Sequence, residues 1–179
     1  MAKMRLLERL GLAMVIGASL IAGSRNKVSA EPSELEKKIK RMGLVVGASE
    51  EEKKATIDRI NFYREKAFRH LVEKGLMKDE IIRAKVDEKM SKGCTSHAVY
   101  LMVNGGYRSY LDGHDEDDKK VGYTSEGKNA AKRSVILEGF NLESSINRFM
   151  TTFYHRHPII DPNISSYGLG LVQNLSGTG

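Results

Sequence analysis

The clearest periodic pattern in the chain begins at Ser49, where Ser49-Glu50-Glu51-Glu52 has the form of a helix capping box. In a capping box the serine hydroxyl and the glutamate side chain each bond to the backbone N–H of the other residue. Apolar residues then recur every three or four positions, which predicts an amphipathic helix that ends near Lys74-Gly75. The residues of its apolar face are Ile57, Ile60, Tyr63, Ala67 and Leu71.

A second helix is predicted to end at Val103, because Asn104-Gly105-Gly106 follows and glycine ends helices. Its apolar stripe places the start at either Asp79 or Val86. The polar residues 105–133 come next and are rich in Gly, Asp and Lys, which favours a long loop.

The last third of the chain is predicted to contain a third helix and a strand. The helix runs from Leu142 or Glu143 to Phe153, with apolar residues at helical spacing. A turn is expected after Pro158, and the segment 165–172 has the composition of a strand. These elements together indicate one α+β domain, since 179 residues are enough for one sizeable core.

Residues 1–30 have the order of a secretory signal peptide: a basic start, an apolar run over 10–22, and a polar stretch that ends in Val28-Ser29-Ala30. The apolar run is shorter than the roughly 20 residues that a helix needs to cross a bilayer. We therefore expect export and cleavage after Ala30, with an uncleaved N-terminal anchor or a buried helix as the alternatives. Residues 31–48 are predicted to be a polar linker and residues 49–179 the folded domain.

The net charge of +6 does not favour a nucleic-acid partner, because four of these charges lie in residues 1–30. In the remainder, basic and acidic residues are interspersed and form no basic stripe. Cys94 is the single cysteine, so the chain has no intramolecular disulfide, and its apolar surroundings favour a buried thiol.

Four segments resemble, in the same order, the motifs of the CAP superfamily (SCP-like, or cysteine-rich secretory, proteins) in its bacterial form. The family has Asn-x-x-Arg on its first helix, a second helix, a Gly-Glu-Asn element after a histidine, and Trp-Met-x-Ser-Pro-Gly-His-Arg followed by Gly-Val-Gly. The matching segments are Asn61-Phe-Tyr-Arg64, Gly93-Cys-Thr-Ser-His-Ala-Val-Tyr-Leu101, Tyr123-Thr-Ser-Glu126-Gly after His114, and Phe149-Met-Thr-Thr-Phe-Tyr-His155-Arg156 with Gly168-Leu-Gly170. The likeness covers about residues 55–170.

This resemblance implies a helix-rich α-β-α sandwich around a small antiparallel sheet. The chain stops at Gly179, where the family continues into a further strand, so we expect the sheet to be incomplete. Either the reading frame is truncated or the last strand has been lost. An uncovered strand at 165–172 would expose unpaired backbone groups, which predicts marginal stability or self-association through this C-terminal edge.

The resemblance also implies a binding cleft formed by His114, Glu126, His155 and Arg156. The family cleft usually holds two histidines, matched by His114 and His155, and two acids, of which Glu126 matches the first. The second acid falls near Thr151 or Thr152 and is missing. For Arg156 we expect a structural role, either paired with Glu126 or bonded to backbone carbonyls.

Two function classes follow. The favoured one is a non-catalytic extracellular or envelope-associated module that binds a small ligand, lipid or envelope component in the cleft. The alternative is a metal-assisted hydrolase or peptidase, in which His114 and His155 hold a divalent metal such as zinc and Glu126 acts as general base. The missing second acid favours the first class.

Three other polar features are given ordinary structural interpretations. His97 is predicted to be a hydrogen-bonded core histidine, and His157, next to Pro158, to be exposed. The acidic run 112–118 lacks the spacing of a calcium-binding loop and is predicted to be a solvated loop.

Overall fold

The computed structural model of the protein describes residues 11–15, 33–106 and 113–174. Its helices are α1 (Glu34–Arg41), α2 (Glu50–Glu73), α3 (Asp79–Ile82), α4 (Glu88–Val103), α5 (Ser125–Ala131), α6 (Leu142–Met150) and α7 (Phe153–Ile160). Its strands are β1 (Gly11–Val15), β2 (Leu44–Val46), β3 (Lys85–Val86), β4 (Val135–Glu138), β5 (Ser166–Tyr167) and β6 (Leu169–Asn174). This is an α+β fold, as the periodic patterns predict.

The main sheet has four antiparallel strands in the order β2-β6-β1-β4. Strand β6 is therefore an interior strand, with β2 on one side and β1 on the other. A separate parallel pair joins β3 to β5, with Lys85 opposite Ser166. Within the described residues, β6 pairs with β1 over 169–173 and with β2 over 172–174, so the expected open edge is covered by β2 over part of its length. Self-association through this edge stays a prediction.

Helices pack on both faces of the main sheet, and successive residues of its strands enter two different hydrophobic clusters. Val135 belongs to a cluster that also contains Ile60 from α2 and Phe149 from α6. Its neighbour Ile136 belongs to a second cluster with Leu101 of α4. This follows from strand geometry, since consecutive side chains of a strand point to opposite faces.

The longest helix, α2, begins and ends where the sequence predicts. Ser49 accepts a bond from the Glu52 N–H at 3.1 Å, and the Glu52 carboxylate accepts one from the Ser49 N–H at 2.8 Å. The helix ends at Glu73, and Gly75 follows with a φ of +67°, a conformation that glycine adopts without strain. The predicted capping box is confirmed.

Asn61 and Arg64 connect α2 to β5 and to the segments that precede β3 and β5. Asn61 makes two bonds to the backbone of Ala84, at 3.0 and 2.7 Å. The fully buried Arg64 donates to the carbonyls of Ile82 and Asp161 and to the Tyr167 hydroxyl. The Asn-x-x-Arg motif therefore acts as a structural clamp in this chain.

Helix α4 lies directly on β6 because Gly170 has no side chain. A Cβ atom at Gly170 would collide with the backbone of Cys94 and Thr95. The Cys94 thiol is 1% exposed, so the prediction of a buried cysteine is confirmed. Such direct contact of helix and strand backbones is a recognised use of glycine in sheets.

The predicted polar linker is part of the folded structure. Within residues 31–48, α1 begins with its own capping box at Ser33, and β2 pairs with β6. Leu35 and Ile39 of α1 pack against the second cluster. The linker prediction is wrong because these apolar residues are spaced one helical turn apart and cover the α4 side of the sheet.

Two other boundaries differ from the predictions. The long loop predicted over 105–133 contains helix α5, whose first turn is capped by Thr124 accepting a bond from the Gly127 N–H at 2.8 Å. The third predicted helix divides into α6 and α7, and α7 continues through Pro158 to Ile160 before the turn at Asp161. Burial of Ile159 holds this last turn despite the proline.

Gly11–Val15, within the predicted signal peptide, form strand β1. The rest of residues 1–30, including the expected cleavage point, lies outside the described residues. In the described ranges, no helix combines the length and apolar character that a membrane crossing requires.

Candidate functional site

The two histidines that the family resemblance assigns to the cleft lie near one another. His114 follows Gly113 in the segment before α5, and His155 lies in the first turn of α7. Burial lowers the pKa of His155 below its ordinary value of 6.5, and the neighbouring His114 lowers it further. The repulsion acts because both imidazoles gain positive charge when they are protonated.

Thr152 orients the His155 ring. Its hydroxyl oxygen lies 3.2 Å from the carbonyl oxygen of Phe149 and 2.8 Å from Nδ1 of His155. The single hydrogen of this hydroxyl goes either to the Phe149 carbonyl or to Nδ1 of His155, so both neutral tautomers of His155 are compatible with this contact. In either case the contact fixes the position of the ring.

A backbone carbonyl orients His114 in the same way. Nδ1 of His114 lies 2.9 Å from the carbonyl oxygen of Ala131, at the end of α5. A carbonyl only accepts, so Nδ1 carries the hydrogen and the lone pair of neutral His114 is on Nε2. Neutral His114 can therefore accept a hydrogen bond, or bind a cation, through Nε2.

The segment that carries His114 is held by helix α4. Nδ1 of His97 lies 2.7 Å from Oε1 of Glu116, and Nε2 of His97 lies 2.8 Å from the Gly113 carbonyl. The Tyr100 hydroxyl accepts a bond from the Asp117 N–H at 2.9 Å. His97 is fully buried, so its prediction as a hydrogen-bonded core histidine is confirmed.

Glu116 contradicts the prediction that the acidic run 112–118 is entirely solvated. It is 1% exposed, and its second carboxylate oxygen accepts a bond from the Thr124 N–H at 3.1 Å. A Cβ atom at Gly127 would collide with this carboxylate, so the close approach requires glycine. No sequence signal separates Glu116 from its acidic neighbours, because the partner that buries it lies on α4.

Glu126 and Arg156 make contacts other than those expected. The Glu126 side chain is exposed and accepts a bond from the Ser125 hydroxyl at 3.0 Å. The Arg156 guanidinium lies over the Phe153 ring, 5.9 Å from its centroid, at the limit of about 6 Å for such contacts. The expected salt bridge between Arg156 and Glu126 does not form in the described part of the chain.

The described side chains do not form a complete metal site. No three His, Cys, Asp or Glu side chains within the described ranges come together as ligands for one ion. Protein zinc sites have at least three such ligands in most cases. The pair formed by His114 and His155 therefore does not fit a resident metal ion, and Glu126 does not supply the missing ligand.

Two exposed aromatic residues directly precede His155 in the chain. Phe153 is 68% exposed and Tyr154 is 85% exposed, and their rings meet edge to face with centroids 5.5 Å apart. Large exposed aromatic residues next to one another often mark a binding surface. His157, two residues further on, is also exposed, as predicted.

The fold and the site together define an α+β protein with helices on both faces of a sheet and a partly exposed histidine pair. Comparisons with protein-family models, with curated proteins and with solved structures find no match to this chain.

Proposed function

We propose that this protein is an exported CAP/SCP-like module that binds an amphiphilic small ligand or lipid beside His114 and His155 without catalysing a reaction. The observation that carries the proposal is that His155, whose pKa is lowered by burial and by His114, directly follows the exposed residues Phe153 and Tyr154 in the first turn of α7. We call these four side chains the histidine–aromatic surface.

The histidine–aromatic surface favours a ligand with a polar head and an apolar chain. The exposed guanidinium of Arg156, in the same turn of α7 as His155, can pair with a carboxylate head group. The rings of Phe153 and Tyr154 offer apolar area that water now covers. A medium-chain fatty acid has both features.

Binding is preferred to metal-assisted hydrolysis because the described residues supply no third metal ligand. The expected general base, Glu126, is exposed and bonded to Ser125. A hydrolase would need a base that reaches the water it activates.

The ordered motifs and the packing of helices on both sides of the antiparallel sheet support the CAP-like α-β-α sandwich as part of this proposal. Export to the cell envelope or the medium is supported by the basic and apolar order of residues 1–30, and this part of the proposal does not require that the segment be removed after export.

The proposal is tested with dodecanoate as the probe and with calorimetry and NMR of the histidine ring protons as readouts. We expect saturable binding that shifts the resonances of His155. The double substitution Phe153→Ser/Tyr154→Ser should weaken binding by about tenfold or more, since the apolar area of both rings is lost.

Phe62→Ser is the matched control, because Phe62 is also an exposed aromatic residue with a cation over its ring. It lies on α2, is 44% exposed, and has the Lys66 ammonium 4.6 Å from its centroid. Dodecanoate affinity should be unchanged in this variant. Absence of binding, or equal loss in Phe62→Ser and in the double variant, would contradict the proposal.

A further inference from the structure

Strand β1 occupies a central position in the main sheet although it comes from the N-terminal apolar run. It pairs with β6 on one side, from Gly11 opposite Gln173 to Val15 opposite Leu169. On the other side it pairs with β4, where Val15 lies opposite Val135. The strand is thus bonded along both of its edges.

The connection of β4 to the rest of the sheet depends on β1. Neighbouring strands lie about 4.8 Å apart, so removing β1 would leave β6 and β4 separated by roughly twice that distance. The backbone N–H and C=O groups that face β1 would then lose their partners, at a cost for each group that remains buried. Helices α4 and α6 also pack against β1, so the gap would lie inside the molecule.

This position conflicts with release of the N-terminal segment. Cleavage after Ala30 would separate Gly11–Val15 from the chain. The same residues cannot be removed as a leader and remain as the strand between β6 and β4.

We infer that Gly11–Val15 of the same chain remain in the folded protein as the strand between β6 and β4. The apolar N-terminal run is therefore retained as a structural strand of the folded protein, and the folded form is not cleaved after Ala30. Pairing on both sides of β1 is the observation that carries this inference.

The test uses the full chain with a proline in the middle of β1. Ala13 lies opposite Leu137 and Leu171, and proline in a central strand removes a backbone donor and is excluded from such positions. Ala13→Pro should lower the melting temperature by roughly 5 to 10 °C. Ala13→Gly is the matched control: it changes the same residue but keeps the backbone N–H, and it should lower the melting temperature by less than about 4 °C.

A second measurement remains informative if Ala13→Pro does not fold. A protease site inserted after Ala30 allows the folded wild-type chain to be cut, and the N-terminal fragment should stay bound during size-exclusion chromatography. Equal melting temperatures for Ala13→Pro and Ala13→Gly, or release of the fragment with an unchanged melt of the remainder, would overturn the inference. A stable dimer that exchanges β1 between copies would overturn the same-chain assignment.

Discussion

At the scale of single residues, Arg64 is the buried charge on which the α2 side of the molecule depends. Its guanidinium bonds to two carbonyls and to the hydroxyl of Tyr167, whose pKa is raised by burial to about 12. Arg64→Met should lower the free energy of unfolding by about 3 kcal/mol, because these buried acceptors lose their donor. Urea denaturation measures the change. Arg59→Met on the same helix breaks the partly exposed pair with Glu143 and a contact with the exposed Phe62 ring, and should cost less than about 1 kcal/mol.

The histidine pair makes stability depend on pH. Folding lowers the pKa of His155 through burial and through His114, so below pH 6.5 the unfolded chain binds this proton more readily than the folded chain. The contribution of His155 to stability is thus greatest above pH 6.5 and is lost as the pH falls toward the lowered value. Titration by NMR should give a pKa below 6.5 for His155, and His114→Asn should raise it. A pKa of His155 that does not respond to this substitution would show that the two rings do not interact.

At the scale of elements, the contact between α4 and β6 depends on the absence of a side chain at Gly170. A methyl group there would meet the Cys94 backbone, which cannot move without separating the helix from the sheet. Gly170→Ala should therefore lower the free energy of unfolding by about 3 kcal/mol, at the upper end of overpacking effects. Gln173→Ala, on the same strand and only half-buried, serves as the control and should cost much less. Equal losses in chemical denaturation would show that the helix and strand can separate without cost.

The segment 113–117 is held in position by hydrogen bonds to helix α4. His97 and Tyr100 of α4 bond to Glu116 and Asp117, and the close approach at Gly127 lets the carboxylate enter. Its conformation therefore presents His114 toward α7. This arrangement explains why the residues of the histidine–aromatic surface are brought together from distant parts of the sequence.

At the scale of the whole molecule, Cys94 reports on global unfolding. The thiol is 1% exposed and lies between α4 and the sheet, so a labelling reagent reaches it only when these layers separate. We expect the rate of thiol labelling in mild denaturant to follow the free energy of unfolding measured by circular dichroism. Rapid labelling under native conditions would show that α4 opens independently of the rest of the fold.

Local features were predictable because they depend on neighbours in sequence. The Ser49 capping box, the end of α2 near Gly75 and the burial of Cys94 all follow from short patterns, and the structure has each of them. The prediction of a linker over 31–48 rests on residues 31–40, where six residues are charged and only Leu35 and Ile39 are large and apolar. These apolar residues acquire a partner only when α1 packs beside α4.

Sequence patterns predict α2 with its cap, the end of α4 and the α+β class, and the family resemblance adds the candidates His114 and His155, but the patterns miss α5. Tertiary packing buries Glu116, leaves Glu126 outside the histidine pair and places Gly11–Val15 between β6 and β4. The physical reason is that helix periodicity and capping act within a few residues, whereas burial of a carboxylate and strand pairing depend on partners far away along the chain. Such partners meet only after folding.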